Sequence, residues 1–163
     1  MDELLKIAEE IATKAHKGQF DKAGVEYINH PRTVASMCDS TETKIVGWLH
    51  DVVEDTDFTL DDLRTAGFPE NILEALRCVT KEENYQLDEY YLRIKKNKLA
   101  RVVKLADLTH NSDLSRIPEN VSEEFKNKMI RKHKQYMLYK EYLLSGTESE
   151  TVSEFIKRKN ENI

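Results

Sequence analysis

Ile45-Val46-Gly47-Trp48-Leu49-His50-Asp51-Val52-Val53-Glu54-Asp55 runs an apolar helical pattern directly into a histidine and three acids. The spacing of Ile45, Val46, Trp48, Leu49, Val52 and Val53 predicts a deeply packed helix over roughly 42–54. At 100° per residue, His50, Asp51, Glu54 and Asp55 fall within an arc of about 140°. No basic residue lies among them to pair the acids. Carboxylates this close repel one another unless a cation sits between them. A solvated acidic helix end explains the same residues at a cost of only a few tenths of a kcal/mol, so both readings stand at this point.

Two further segments offer ligands from apolar surroundings. Upstream, Asn29-His30-Pro31 opens a predicted helix reaching about Cys38, with Pro31 suited to its first turn. His30 reads there either as a cap or packed residue, or as a ligand. Downstream, Asp107 closes the run Val102-Val103-Lys104-Leu105-Ala106, and an aspartate in such a run needs a hydrogen-bond partner or a cation. Lys104, one turn earlier, meets that need as well as a metal does; Asn111 lies one turn later, with His110 beside it. Taken together, His30, His50, Asp51 and Asp107 supply two imidazoles and two carboxylates from three helices. That mixed N/O set suits Mn²⁺, Fe²⁺ or Zn²⁺ better than Mg²⁺ or Ca²⁺. A metal held by it would lower the pKa of a water and polarise a phosphoryl oxygen.

The rest of the chain supports an all-α bundle with short connections. It has 163 residues, 39% hydrophobic and 34% charged, with five glycines and three prolines, which fits one domain with a buried core. Helical spacing recurs from Leu4 to Ala15, and helices are predicted over 60–66, 69–79, 86–96, 98–113 and 121–144. Thr59 reads as an N-cap. Residues 21–24 are turn-rich, no hairpin is evident, and 145–163 reads as a polar tail or short helix. No stretch approaches the eighteen or so apolar residues of a membrane span, and the acidic amphipathic start does not resemble a signal peptide. Cys38 and Cys78 lack CxxC spacing and read as reduced, buried thiols, so a cytoplasmic location is expected. A net charge of −5 argues against a nucleic-acid partner but allows an anionic small molecule beside a metal.

Several strings of this chain, in order, resemble those of HD-domain phosphohydrolases, and more closely the hydrolase domain of RelA/SpoT-type enzymes and small alarmone hydrolases. They are Ala15-His16-Lys17-Gly18-Gln19, Asp21-Lys22-Ala23-Gly24, Tyr27-Ile28-Asn29-His30-Pro31, Leu49-His50-Asp51-Val52-Val53-Glu54-Asp55-Thr56, Val79-Thr80-Lys81, and Val103-Lys104-Leu105-Ala106-Asp107 with His110-Asn111. The resemblance covers roughly residues 5–117, most of the chain. The resemblance implies an all-α HD-domain bundle and Mn²⁺-dependent removal of the 3′-pyrophosphate from guanosine 3′,5′-bis(diphosphate)-type alarmones. It implies His30, His50, Asp51 and Asp107 as metal ligands, Glu54 and Asp55 as the acids that orient or activate water, and Lys22 and Asn111 as nucleotide contacts. Lys81 and Lys104 join Lys22 as candidates to offset phosphate charge.

Relatives of this kind carry Arg-Lys where this chain has Asp21-Lys22, which removes a cation able to stack on a base. A basic-Leu pair after the downstream aspartate is here Leu108-Thr109. The resemblance leaves no segment for a synthetase, which suggests a one-way degrader. The same site admits another phosphorylated nucleotide, an adenine alarmone or NADPH, or a non-catalytic nucleotide sensor. Arg116 reads as a phosphate cation or a surface ion pair. His16 is expected beneath the site, His110 as a supporting hydrogen bond and His133 on a solvated basic helix.

Overall fold

The computed structural model describes residues 1–162. Its α-helices are α1 (Asp2–Ala15), α2 (Asn29–Ser36), α3 (Thr41–Leu49), α4 (Val52–Asp55), α5 (Leu60–Thr65), α6 (Glu70–Val79), α7 (Leu87–Lys96), α8 (Lys98–Asn111), α9 (Glu123–Leu144) and α10 (Val152–Glu161). A 3-10 turn covers Leu114–Arg116, and no strand forms among the described residues beyond a single antiparallel bridge between Phe20 and Glu26.

Helix α3 is the centre of the packing. It lies against α1, α2, α6 and α8, which is why its residues are apolar almost all round. Ile45, Val46 and Leu49 are fully buried, with Val52 just beyond, against Ala8 and Ala12 of α1, Val34 of α2, Leu76 of α6 and Val103 of α8. Each such aliphatic side chain contributes about 2 kcal/mol of transfer free energy. The small residue in the run, Gly47, allows α2 to come close: a Cβ there would lie 3.0 Å from the Ala35 Cα and 3.1 Å from its nitrogen. That approach brings His30 on α2 level with His50 at the end of α3.

The sequence pattern predicts one helix through 42–54, and the structure divides it. The His50 ring Nδ1 donates to the Gly47 carbonyl at 2.6 Å, and the α3 ladder stops there. Asp51 precedes α4, a single turn that holds Glu54 and Asp55. Thr59 is the expected N-cap, accepting from the Asp62 amide, and Ser40 and Thr151 cap α3 and α10 with the same reciprocal box. Such a cap is worth about 1 kcal/mol.

The loop between α1 and α2 is tighter than its turn-rich composition alone suggests. Asp21 Oδ1 accepts from the Ala23 and Val25 amides, and Gly24 sits at φ +80°, a value open mainly to glycine. At the other end of the chain, the short-helix reading of the polar tail is the one realised, as α10. It seats Val152 and Phe155 in the core and packs on α7 and α9.

Candidate metal centre and active site

Four side-chain atoms from α2, the α3–α4 junction and α8 converge. His30 Nε2 lies 2.9 Å from Asp107 Oδ1, 3.2 Å from His50 Nε2 and 3.7 Å from Asp51 Oδ2. His50 Nε2 lies 3.1 Å from Asp51 Oδ2 and 3.6 Å from Asp107 Oδ1. His30, His50 and Asp107 are buried; Asp51 is mostly so and leads outward to Glu54 and Asp55, with which it forms a second carboxylate group. Nitrogens of His30 and His50 and an oxygen of Asp107 lie within 4.8 Å of one another, and with Asp51 Oδ2 beside the two histidines they make a donor set for a divalent cation.

The electrostatics of the cluster call for positive charge. Burial works against charging His50, but the Asp51 and Asp107 carboxylates outweigh it and hold its pKa well above the usual histidine range. Burial likewise opposes ionisation of Asp107, yet Lys104 and then His30 and His50 keep its pKa well below the carboxylate range. Asp51 is also held low, by His50 above all, against its own desolvation. A divalent cation placed among these carboxylates answers the same demand more fully than a protonated imidazole, so the donor set fits a metal.

Asp107 serves two partners at once. Its Oδ1 faces the histidines and also accepts from Asn111 Nδ2 at 2.9 Å, while its Oδ2 accepts from Lys104 Nζ at 2.9 Å. The two explanations that the sequence leaves open for Asp107, the lysine and a metal-type cluster, are thus both realised, one per oxygen. Lys104 itself is buried, with its ammonium 5.4 Å from the Tyr90 ring centre and 5.9 Å from that of Tyr91.

Around the cluster, side chains orient the donors. Tyr27 O–H donates to Asp51 Oδ2 at 2.5 Å. His30 Nδ1 meets His110 Nδ1 at 2.7 Å, and His110 is held neutral, its pKa down to about 4 through burial and then the nearby Arg116 and His30. His16 sits beneath the site as expected, bonded through Nδ1 to Gln19, whose amide donates to the Asp55 carbonyl. Glu54 Oε1 accepts from the Lys81 amide at 2.7 Å, tying α4 to the loop after α6. Asp55 is pushed up to about 6 by desolvation, then by Asp51 and Glu54, a value suited to a base working near neutrality.

Two adjoining cavities open from the cluster. The first, of about 400 Å³, is lined by His50, Asp51, Glu54, Asp55, Lys81, Lys104 and Asp107. The second, about 370 Å³ and more apolar, is lined by Phe20, Lys22, Arg116, Pro118, Phe125 and Met129. Tyr27, Asn111, Lys132 and Tyr136 border both. Of the expected substrate contacts, Lys81, Lys104 and Asn111 therefore stand at the metal-type cluster, and Lys22 stands in the neighbouring cavity. Arg116 makes an ion pair with Asp21 at 3.3 Å, so the residue standing where relatives have arginine now holds one supplied from elsewhere.

Three contributors escape the sequence reading. Tyr27 gives no sign of its bond to Asp51, a contact 24 residues away. Lys132 belongs to a basic run that looks solvated, yet it faces Lys22, whose proximity, with some desolvation, brings its pKa down to about 8. His133, expected in solvent, directs Nδ1 at the Ser112 carbonyl, 2.5 Å away, at the end of α8. For Lys132 and His133 the only cue is a polar residue at helical spacing from apolar ones, and for Tyr27 it is membership of the Tyr27–Pro31 string.

No protein-family model matches the chain. It is 32% identical over 132 residues to a GTP pyrophosphokinase of Streptomyces coelicolor, a match covering 73% of this chain and 16% of that protein. It is 33% identical over 116 residues to a guanosine-3′,5′-bis(diphosphate) 3′-pyrophosphohydrolase of Haemophilus influenzae, covering 62% of this chain and 17% of that protein. The matched region is thus about one sixth of these curated relatives. Among solved structures, a metazoan ortholog of SpoT aligns with TM-score 0.67 and 22% identity over 98% of this chain and 95% of its own. In sequence over most of its length, and in its all-α fold, the chain is a relative of the RelA/SpoT-type HD-domain hydrolases.

Proposed function

We propose that this chain is a metal-dependent phosphohydrolase that removes the 3′-pyrophosphate from guanosine 3′,5′-bis(diphosphate)-type alarmones. The observation that carries the reading is the convergence of His30 Nε2, His50 Nε2, Asp51 Oδ2 and Asp107 Oδ1 beside a cavity whose lining includes Glu54, Asp55, Lys81 and Lys104. The names of the curated relatives and of the metazoan SpoT ortholog, described as hydrolysing ppGpp, support the same reaction class. The mixed N/O donor set suits Mn²⁺, Fe²⁺ or Zn²⁺, and the resemblance to RelA/SpoT-type hydrolases singles out Mn²⁺ among them.

When bound, such an ion supplies Lewis-acid chemistry, acidifying a water and neutralising phosphate charge. The remaining work falls to the chain. Asp55, half ionised near pH 6, takes the proton of the attacking water, and Glu54, tethered to the Lys81 amide, fixes the direction of approach. The water oxygen bonds to the phosphorus carried on the 3′ oxygen as the P–O3′ bond breaks, and the departing 3′ oxygen recovers a proton. Lys81 faces the phosphates, and Lys22 with Lys132 draws a second phosphorylated arm toward the apolar cavity, where a base has room.

The test is pyrophosphate release from guanosine 3′,5′-bis(diphosphate), with Mn²⁺ and with chelator. Asp107→Ala loses metal binding and turnover together, whereas Glu54→Ala keeps the metal and loses most of the rate. Mn²⁺ binding without release from this substrate refutes the guanine assignment and directs the assay to adenine alarmones and NADPH. Binding of all of these without turnover marks a sensor.

A further inference from the structure

The two histidines of the cluster are anchored by different acceptors. His50 Nδ1 lies 2.6 Å from a backbone carbonyl, which can only accept, so the neutral ring carries its proton there and leaves Nε2 bare. His30 Nδ1 instead meets another imidazole nitrogen, Nδ1 of His110, at 2.7 Å, with the two rings 13° from parallel. Nitrogens at this distance share one proton, and either ring can donate it. When His110 donates, neutral His30 keeps its own proton on Nε2, where Asp107 Oδ1 accepts it at 2.9 Å, and the ligating lone pair is gone. When His30 donates, Nε2 is bare and faces the cluster.

We propose that His110 is a positioning residue of the metal centre: by accepting from His30 Nδ1–H it holds His30 in the one neutral tautomer that can ligate a cation. The inference rests on His30 being a ligand, as proposed above. Metal-bound histidines commonly donate their second ring N–H to a carboxylate, carbonyl or water that fixes ring orientation. Here a neutral imidazole takes that place, which lets the proton move. With a cation held at His30 Nε2, the shared proton would sit on His30 Nδ1 and His110 would carry its own on Nε2, the proton lost from His30 Nε2 being matched by one gained from solvent at His110 Nε2. The pair begins and ends with two protons. Arg116 steadies this arrangement by donating to the His110 carbonyl at 2.9 Å while paired with Asp21, so the end of α8 stays in register with α2.

The experiment compares the full chain with His110→Leu, which keeps bulk but cannot accept, and His110→Asn, whose Oδ1 takes the place of Nδ1. Mn²⁺ affinity is read by electron paramagnetic resonance of the free ion. His110→Leu is expected to bind about ten- to a hundredfold more weakly, with His110→Asn recovering most of the loss. In the Zn²⁺-loaded wild type, nitrogen NMR is expected to show His30 protonated at Nδ1 and His110 at Nε2. Undiminished binding by the leucine variant, an asparagine variant as weak as leucine, or a proton on His110 Nδ1 in the loaded protein each overturns the proposal. Should His110→Leu not fold, the asparagine variant and the NMR decide it. Wild type that binds no Mn²⁺, or binds it equally well after His30→Ala, overturns the metal-centre reading itself.

Discussion

Replacing Lys104 by methionine separates the two roles of Asp107. Lys104 Nζ lies 2.9 Å from Asp107 Oδ2, and both groups are buried. At an effective dielectric constant near 20 their gross attraction is about 6 kcal/mol. Methionine keeps much of the aliphatic bulk, so the main change is an aspartate left without its lysine. Removing one partner of a buried pair costs about 3–5 kcal/mol, a large part of the 5–15 kcal/mol that holds a domain folded. For a chain of this size the expected fall in Tm is about 10 °C. The assay is urea unfolding of both proteins, first in chelator and then with saturating Mn²⁺. The deficit should be largest in chelator and shrink with Mn²⁺, because a cation at Asp107 Oδ1 restores compensation to the same carboxylate. Equal stability of the two proteins in chelator would refute the buried-pair argument. A deficit unchanged by Mn²⁺ would refute the idea that lysine and metal share Asp107.

Gly47→Ala places a methyl carbon about 3 Å from the Ala35 backbone, so α2 must shift; a loss of about 1–3 kcal/mol and weaker Mn²⁺ binding through displaced His30 are expected by urea melts and metal titration. Tyr27→Phe removes the donor to Asp51 Oδ2 and leaves a mostly buried carboxylate oxygen short of a partner. Metal-free stability should fall by about 1–3 kcal/mol, and a variant as stable as wild type in chelator would contradict that bond. Asp55 has a folded-state pKa of about 6, above its ordinary value, so its protonated form favours the fold. Its stabilising contribution in chelator is complete below about pH 4 and lost as pH rises through 6; Asp55→Asn should flatten that part of the stability–pH curve.

The site was legible in part because its proposed ligands interrupt strong local patterns. His50 and Asp51 end the most apolar stretch of the chain, and Asp107 ends another, so each stands out as a polar residue that burial must satisfy. His30 has no such contrast around it and stands out only with the others. The acids of α4 are conspicuous as unpaired charge, but their placement is not: the predicted single helix would keep them in register with α3, whereas the His50 ring ends α3 and turns the chain at Asp51.

From sequence alone come the all-α class, most helix positions, the Thr59 cap and the six polar residues proposed for metal and water. The first three follow from periodicity and capping, interactions between residues three or four apart; the roles of the six residues rest on the resemblance to a family as well. Tertiary structure alone decided what those residues touch. It divided the oxygens of Asp107 between Lys104 and the histidines, set His110 against His30 across 80 residues, brought Tyr27 to Asp51, and placed Lys132 of α9 opposite Lys22. Each depends on how closely helices distant in the chain pack together, as Gly47 permits α2 and α3 to do, and packing distance leaves no mark on the spacing of residues along a single helix.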